Sequence, residues 1–138
     1  MKEALTILEV PEKITVVNST ENEPKIVVDR DKIQRVFVNL IRNALDAMPK
    51  GGTLTIRSER VESNVSFSFI DTGVGMSEDT LKKLWTPLFT TKSRGMGLGL
   101  LICKRFVEAH NGTISVSSVP NISSTFVVNL PIKTESAK

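Results

Sequence analysis

Asn39, Asn43 and Asp46 stand at i, i+4 and i+7 of one amphipathic stretch and therefore share a helix face. A solvated polar stripe is the plain explanation of such a face. Asn, however, is a poorer helix former than Ala, Lys or Glu, so two of them one turn apart are costly as filler. An amide oxygen offers a hard cation a neutral ligand that cannot be protonated away. Asp71 continues the alternation of Val65, Phe67 and Phe69, which turns its carboxylate towards the apolar layer. A charge buried there needs a donor. Capping of the turn Thr72-Gly73-Val74-Gly75 would supply one. The chemical alternative is an acceptor for the exocyclic amine of adenine, which guanine, with a carbonyl at that position, cannot satisfy. Glycine in the following turn lets a ligand approach the backbone closely.

Gly95, Gly97 and Gly99 alternate into a further helix. Glycines at a helix N-terminus expose backbone N–H groups to an anion, and the helix dipole adds to the attraction. The string is not a dinucleotide fingerprint, because position 100 is Leu and no strand precedes it directly. No Gly-x4-Gly-Lys-Ser/Thr loop occurs in the chain. Lys92 and Arg94 lie in the loop that leads into these glycines, and a loop of that length within one domain suits a lid or binding segment. Trp85 and Phe89 flank its start and are expected to anchor it by packing. His110, at a helix C-terminus, and Cys103, in mid-helix, are expected to be structural.

These residues need a scaffold. A short helical pattern over residues 1–8 ends at Pro11, and β-branched runs over 13–18 and 25–28 read as strands. Asp29 and Asp31 stand where N-caps are favoured. After them Ile33, Val36, Phe37, Leu40, Ile41, Ala44 and Met48 keep helical spacing, until Pro49-Lys50-Gly51-Gly52 turns the chain. Strands over 53–60 and 64–70 follow, then a short helix opened by Ser77 and a loop over 85–96. The next helix, over 98–110, is expected to bury Leu98, Leu101, Ile102, Phe106 and Ala109 and to break at Gly112. Strands over 113–118 and 125–130 and a polar tail close the chain. Strands mixed with three helices indicate a two-layer α/β sandwich.

With 138 residues the chain holds one domain, and 40% hydrophobic with 24% charged residues excludes a disordered or collagen-like chain. Eighteen basic against fifteen acidic residues leave +3, spread along the sequence rather than clustered as a nucleic-acid footprint would be. No apolar run reaches the roughly 18 residues of a bilayer span, and the first residues do not form a signal peptide. One cysteine excludes an internal disulfide.

Taken in order, four segments resemble the ATP-binding catalytic domain of sensor histidine kinases in the GHKL ATPase superfamily. They are Asn39-Leu40-Ile41-Arg42-Asn43-Ala44 (the N box), Asp71-Thr72-Gly73-Val74-Gly75-Met76 (the first glycine box), Pro87-Leu88-Phe89-Thr90-Thr91-Lys92 (the F box) and Gly95-Met96-Gly97-Leu98-Gly99-Leu100 (the second glycine box). Glu108-Ala109-His110-Asn111-Gly112 and residues 126–131 resemble the closing segments, so the likeness covers roughly 11–131. It implies a Bergerat-type α+β sandwich, a mixed and mostly antiparallel sheet covered by three helices, with ATP between the long helix and the lid. Asn43 would hold Mg2+, Asp71 would receive the adenine amine, and Gly75 would admit the base. Gly97 and Gly99 would leave amides for the phosphates, and Lys92 would help neutralise them. Asn39, Asp46, Ala47, Gly73 and Met76 would also line the nucleotide, as would Thr90, Thr91, Arg94, Gly95, Leu98, Leu100 and Thr125. Asn39 and Lys92 join Asn43 as the catalytic set. ATP-hydrolysing members of the superfamily carry Glu where this chain has Asn39, which fits transfer to an imidazole rather than to water.

Two departures stand out. The last glycine box, usually Gly-x-Gly-Thr, is read here as Ile122-Ser123-Ser124-Thr125, with only Thr125 kept. The acceptor histidine of the family lies on a helical dimerisation domain, of which residues 1–10 are expected to be a stub or linker; 11–132 are the catalytic domain and 133–138 a tail. The expected partners are ATP and ADP, that helical histidine phosphotransfer domain, and a response regulator, with no nucleic acid and no membrane insertion by this domain. The isolated domain is expected to be a cytoplasmic monomer that cannot phosphorylate itself. The alternatives are an anti-sigma-factor-type serine kinase and a degenerate, non-catalytic nucleotide-binding module.

Overall fold

A computed structural model describes residues 1–20, 29–85 and 99–132. The strand expected over 25–28, the loop with Phe89, Thr90, Thr91, Lys92 and Arg94, the residues Gly95, Gly97 and Leu98, and the tail 133–138 lie outside the described residues. The elements run α1 (Lys2–Ile7), β1 (Ile14–Ser19), α2 (Arg30–Asp46), β2 (Gly52–Val61), β3 (Asn64–Asp71), α3 (Glu78–Lys83), α4 (Gly99–Ala109), β4 (Thr113–Val119) and β5 (Ser123–Pro131).

Helix α2 begins where Asp29 accepts the backbone N–H of Lys32 at 3.2 Å. All seven apolar positions read from its spacing, from Ile33 to Met48, are buried. Its Phe37 sits 5.0 Å from the ring of Phe67 and 5.7 Å from that of Phe69 on the sheet beneath. Each of the larger side chains among them, removed from water, stabilises the fold by about 1.5–3 kcal/mol. The chain leaves α2 through Gly51, whose φ of +96° and whose approach to the carbonyl of Lys13 both exclude a Cβ.

The five strands form one sheet in the order β1-β2-β3-β5-β4. Strands β1 and β2 run parallel and every other pair is antiparallel, as the resemblance implied. Residues of β3 and β5 alternate between buried and half-buried, so one face carries Val65, Phe67, Phe69 and Asp71 together with Ser124, Phe126, Val128 and Leu130. Helices α2 and α4 cover that face. Helix α1 falls on the short helical pattern over residues 1–8, beside the three further helices expected; its Ala4 is buried, and Leu5 packs against the core.

The face expected for the last helix is corrected. In α4 the buried residues are Cys103 and Val107, while Ile102 is 42% exposed and Ala109 is exposed. Apolar side chains on most sides of its first turns (Leu100, Leu101, Ile102) make the period ambiguous, and contact with α2 selects the line, with Cys103 Sγ 3.9 Å from the carbonyl of Val36. Asn111 takes the left-handed conformation, φ 61°, that ends the helix.

Candidate nucleotide site

Cross-strand partners on the covered face line up in rows. At one end of the sheet a row runs Ser118, Ser124, Asp71 and Leu54 through β4, β5, β3 and β2. Asp71 is 2% exposed and its Oδ1 accepts the Gly73 N–H at 2.9 Å. The residue thus faces the apolar layer, as the alternation implied, and caps the glycine turn.

The turn after Asp71 is pinned on three sides. Thr72 donates its N–H to Thr53 O at 3.2 Å and accepts the Thr53 N–H on Oγ1 at 3.0 Å. Val74 N–H donates to the carbonyl of Ala47, the C-cap of α2, at 2.9 Å, and Val74 O accepts the N–H of Asn121 at 2.6 Å. Gly73 is required by proximity, since a Cβ there would stand 2.3 Å from Ala47 O. Gly75 is required twice, by φ +68° and by Val119 O at 2.2 Å from a Cβ. Glycine here lets the turn press against α2 and the β4–β5 hairpin, a reason that sequence reasoning, which assigned it to ligand approach, did not include.

Next, Met76 N–H donates to Ser118 Oγ at 2.7 Å, and Ser118 donates to Ser123 O at 2.8 Å. Its single proton is thereby committed, so the 2.8 Å contact with Ser124 Oγ is a donation from Ser124. Ser124 is 3% exposed. Thr125, the residue retained from the last glycine box, pairs instead with Ile70 on the opposite face and does not join Asp71. Ser124 occupies that place. The signal was in the sequence: Thr125 precedes Phe126 in an alternating strand, so Ser124, two before Phe126, shares its face.

On α2, Asn39 and Asn43 are half-buried and Asp46 is exposed, one face of the helix whose C-cap meets the glycine turn. Asn39 Nδ2 donates to Arg35 O at 2.9 Å, leaving the amide oxygen as the atom that can face a cation. Among the described residues no group of three His, Cys, Asp or Glu could hold a metal by itself. Two amides and a carboxylate fit a hard divalent cation that shares its shell with phosphate oxygens. Gly99 and Leu100 are half-buried at the start of α4.

His110 and Cys103 are structural, as expected. His110 donates through Nδ1 to Phe106 O at 2.8 Å and accepts the Asp29 N–H on Nε2 at 2.9 Å, joining the end of α4 to the cap of α2. Burial pushes the Cys103 thiol up to about 12. Trp85 packs edge-on against Phe126 at 6.5 Å, while the loop it is expected to anchor lies outside the described residues.

This sheet, helix and glycine turn define an ATPase fold of a recognisable class. The model of the family described as "Histidine kinase-, DNA gyrase B-, and HSP90-like ATPase" matches residues 28–134, and the chain belongs to that family. Within it the chain is 40% identical over 108 residues to Sporulation kinase C of Bacillus subtilis (strain 168), covering 78% of this chain and 25% of the relative. It is 38% identical over 109 residues to Sensor histidine kinase ZraS of Escherichia coli (strain K12), covering 79% and 23%. The chain thus spans about a quarter of the length of each. The catalytic domain of histidine kinase ThkA superposes with a TM-score of 0.77 at 34% identity, over 86% of this chain and 79% of that one. Full-length ShkA in complex with AMPPNP shares the fold, with a TM-score of 0.84 at 22% identity over 96% of this chain and 29% of that one. The module is therefore the ATPase catalytic domain of the sensor histidine kinase type.

Proposed function

We propose that this chain binds Mg·ATP and transfers the γ-phosphoryl group to a histidine on a separate helical dimerisation domain, for relay to an aspartate of a response regulator. The observation that carries the reading is Asp71: a carboxylate buried at the end of an apolar strand face, capping a turn that is clamped against the C-cap of α2. A carboxylate so placed accepts the adenine amine and rejects the guanine carbonyl. Asn43 would hold Mg2+, with Asn39 and Asp46 on the same face, and the ion would supply charge neutralisation for the phosphates. Gly75 and Met76 border the base. Lys92, Arg94, Gly95 and Gly97 enter this reading from the sequence resemblance, with Gly99 and Leu100 continuing the segment into α4. Phosphoryl transfer needs chiefly such positioning and charge stabilisation.

The acceptor is not His110, whose two ring nitrogens are both engaged with backbone groups. Among the described residues no helix is long and apolar enough to cross a membrane. A cytoplasmic domain, carried by a protein that is itself anchored or free, agrees with this reading. Incubation with γ-labelled Mg·ATP tests it. The isolated chain is expected to yield no phosphohistidine, and addition of the histidine-bearing helical domain of the same protein is expected to yield acid-labile phosphate on that domain. Stoichiometric phosphohistidine on the isolated chain would contradict a separate acceptor. Nucleotide binding without any transfer would favour the non-catalytic module, the reading that Ser123 and Ser124, in place of the last glycine box, support.

A further inference from the structure

We infer that Ser118 is a positioning residue for the nucleotide site, acting through the turn that follows Asp71; this rests on the proposed nucleotide reading. The Ser118 hydroxyl joins the turn to the hairpin. It accepts the N–H of Met76, accepts the hydroxyl of Ser124 and donates to the carbonyl of Ser123, so its donor and both its acceptor positions are filled. Its two hydroxyl-side partners tie it to the strand that lies beside Asp71. Ser124 is the register partner of both Ser118 on one side and Asp71 on the other, and is itself 3% exposed.

The backbone contacts around it act in the same sense. Asn121 N–H reaches Val74 O at 2.6 Å, and Gly75 is pressed against Val119 O closely enough to exclude a Cβ. The β4–β5 hairpin therefore holds the far end of the turn, residues 74–76, while α2 and β2 hold the near end. Asp71 belongs to the row whose position the hairpin sets. Loss of the Ser118 hydroxyl would strip the Met76 N–H and the Ser124 hydroxyl of one acceptor together, and the end of the turn would relax away from the hairpin. An unpaired buried donor is costly to leave, so rearrangement rather than a static gap is expected.

The test is Mg·ATP affinity by calorimetry on wild type, Ser118→Ala, Ser118→Thr and Ser66→Ala, with urea unfolding of each. Ser66 is the control, because its hydroxyl donates to Asn129 on the uncovered face and shares no partner with the site. Ser118→Ala is expected to bind ATP about tenfold more weakly. Ser118→Thr, which keeps the hydroxyl, is expected to restore most of that loss. Ser66→Ala is expected to bind as wild type even if its unfolding midpoint falls as far as that of Ser118→Ala. Wild-type affinity in Ser118→Ala, or an equal loss in Ser66→Ala, overturns the inference. Failure of the wild type to bind ATP overturns the nucleotide reading and this inference with it, whereas failure of Ser118→Ala to differ, with the wild type binding, overturns this inference alone.

Discussion

Two rows on the covered face of the sheet lie one alternation apart and do opposite work. The inner row, Val116, Phe126, Phe69 and Ile56, is apolar throughout and is met by Phe37 of α2. The outer row, Ser118, Ser124 and Asp71, ends in Leu54 and is polar on three strands of four. Both descend from the same period of two, and in both the residues of β3 and β5 are buried. Burial of the inner row supplies stability by removing apolar surface from water. Burial of the outer row would be costly if its groups lacked partners, and the structure meets that cost with Gly73 N–H, Met76 N–H and the carbonyl of Ser123. The same strand thus carries core and candidate site, and one step along it changes the burial from apolar to polar.

Breaking the inner row should have the largest effect. Phe69→Ala removes a ring that is 1% exposed and should cost about 3–5 kcal/mol, a large share of the roughly 5–15 kcal/mol available to a domain. A urea midpoint near that of wild type would show that the row is not the core. Gly73→Ala attacks the outer row from the side of α2. The Cβ would meet Ala47 O at 2.3 Å, so the turn must shift, at about 1–3 kcal/mol and with loss of ATP affinity. Unchanged affinity and midpoint would show that the close approach is not needed.

Cys103 sharpens the contrast, as a buried polarisable group with no site to serve. Its thiol is raised by burial from 9.0 to about 12, so the unfolded chain releases a proton that the folded chain keeps. Stability is therefore unaffected below pH 9 and falls as pH rises towards 12, by at most about 1.4 kcal/mol per unit. Unfolding midpoints at pH 8 and pH 10 should fall further in wild type than in Cys103→Ala; parallel falls would contradict the assignment. The smallest effect is expected at the joint of the two helices, away from both rows. Asp29→Ala removes the cap of α2 and should cost about 1 kcal/mol by urea unfolding, with ATP affinity retained.

Much of this was legible in the sequence, and unevenly so. Helix α2 separates its apolar and polar sides cleanly, so both its buried residues and its Asn39, Asn43 and Asp46 face follow from spacing. Strand β3 alternates without error, so the burial of Asp71 follows from its place in the strand. Helix α4 misled because Leu100, Leu101 and Ile102 are apolar in succession, and only packing against α2 decides which of them turns inward. The shift from Thr125 to Ser124 was decidable from the alternation set by Phe126, Val128 and Leu130, but the motif pattern pointed one residue away. Ser118 could not be read at all. Its role depends on the pairing register of β4 with β5 and on a turn over forty residues earlier, and serine alternates too often in β4 to single it out.

The most direct test of the outer row as an adenine site is calorimetric titration with Mg·ATP and Mg·GTP of wild type and Asp71→Asn. The Asn variant can keep the bond from Gly73 N–H through its amide oxygen while exchanging the other acceptor for a donor. The account predicts binding of ATP but not GTP by wild type, and at least about a tenfold loss of ATP affinity in the folded variant. Equal affinity for the two nucleotides, or ATP binding undiminished in Asp71→Asn, would contradict it.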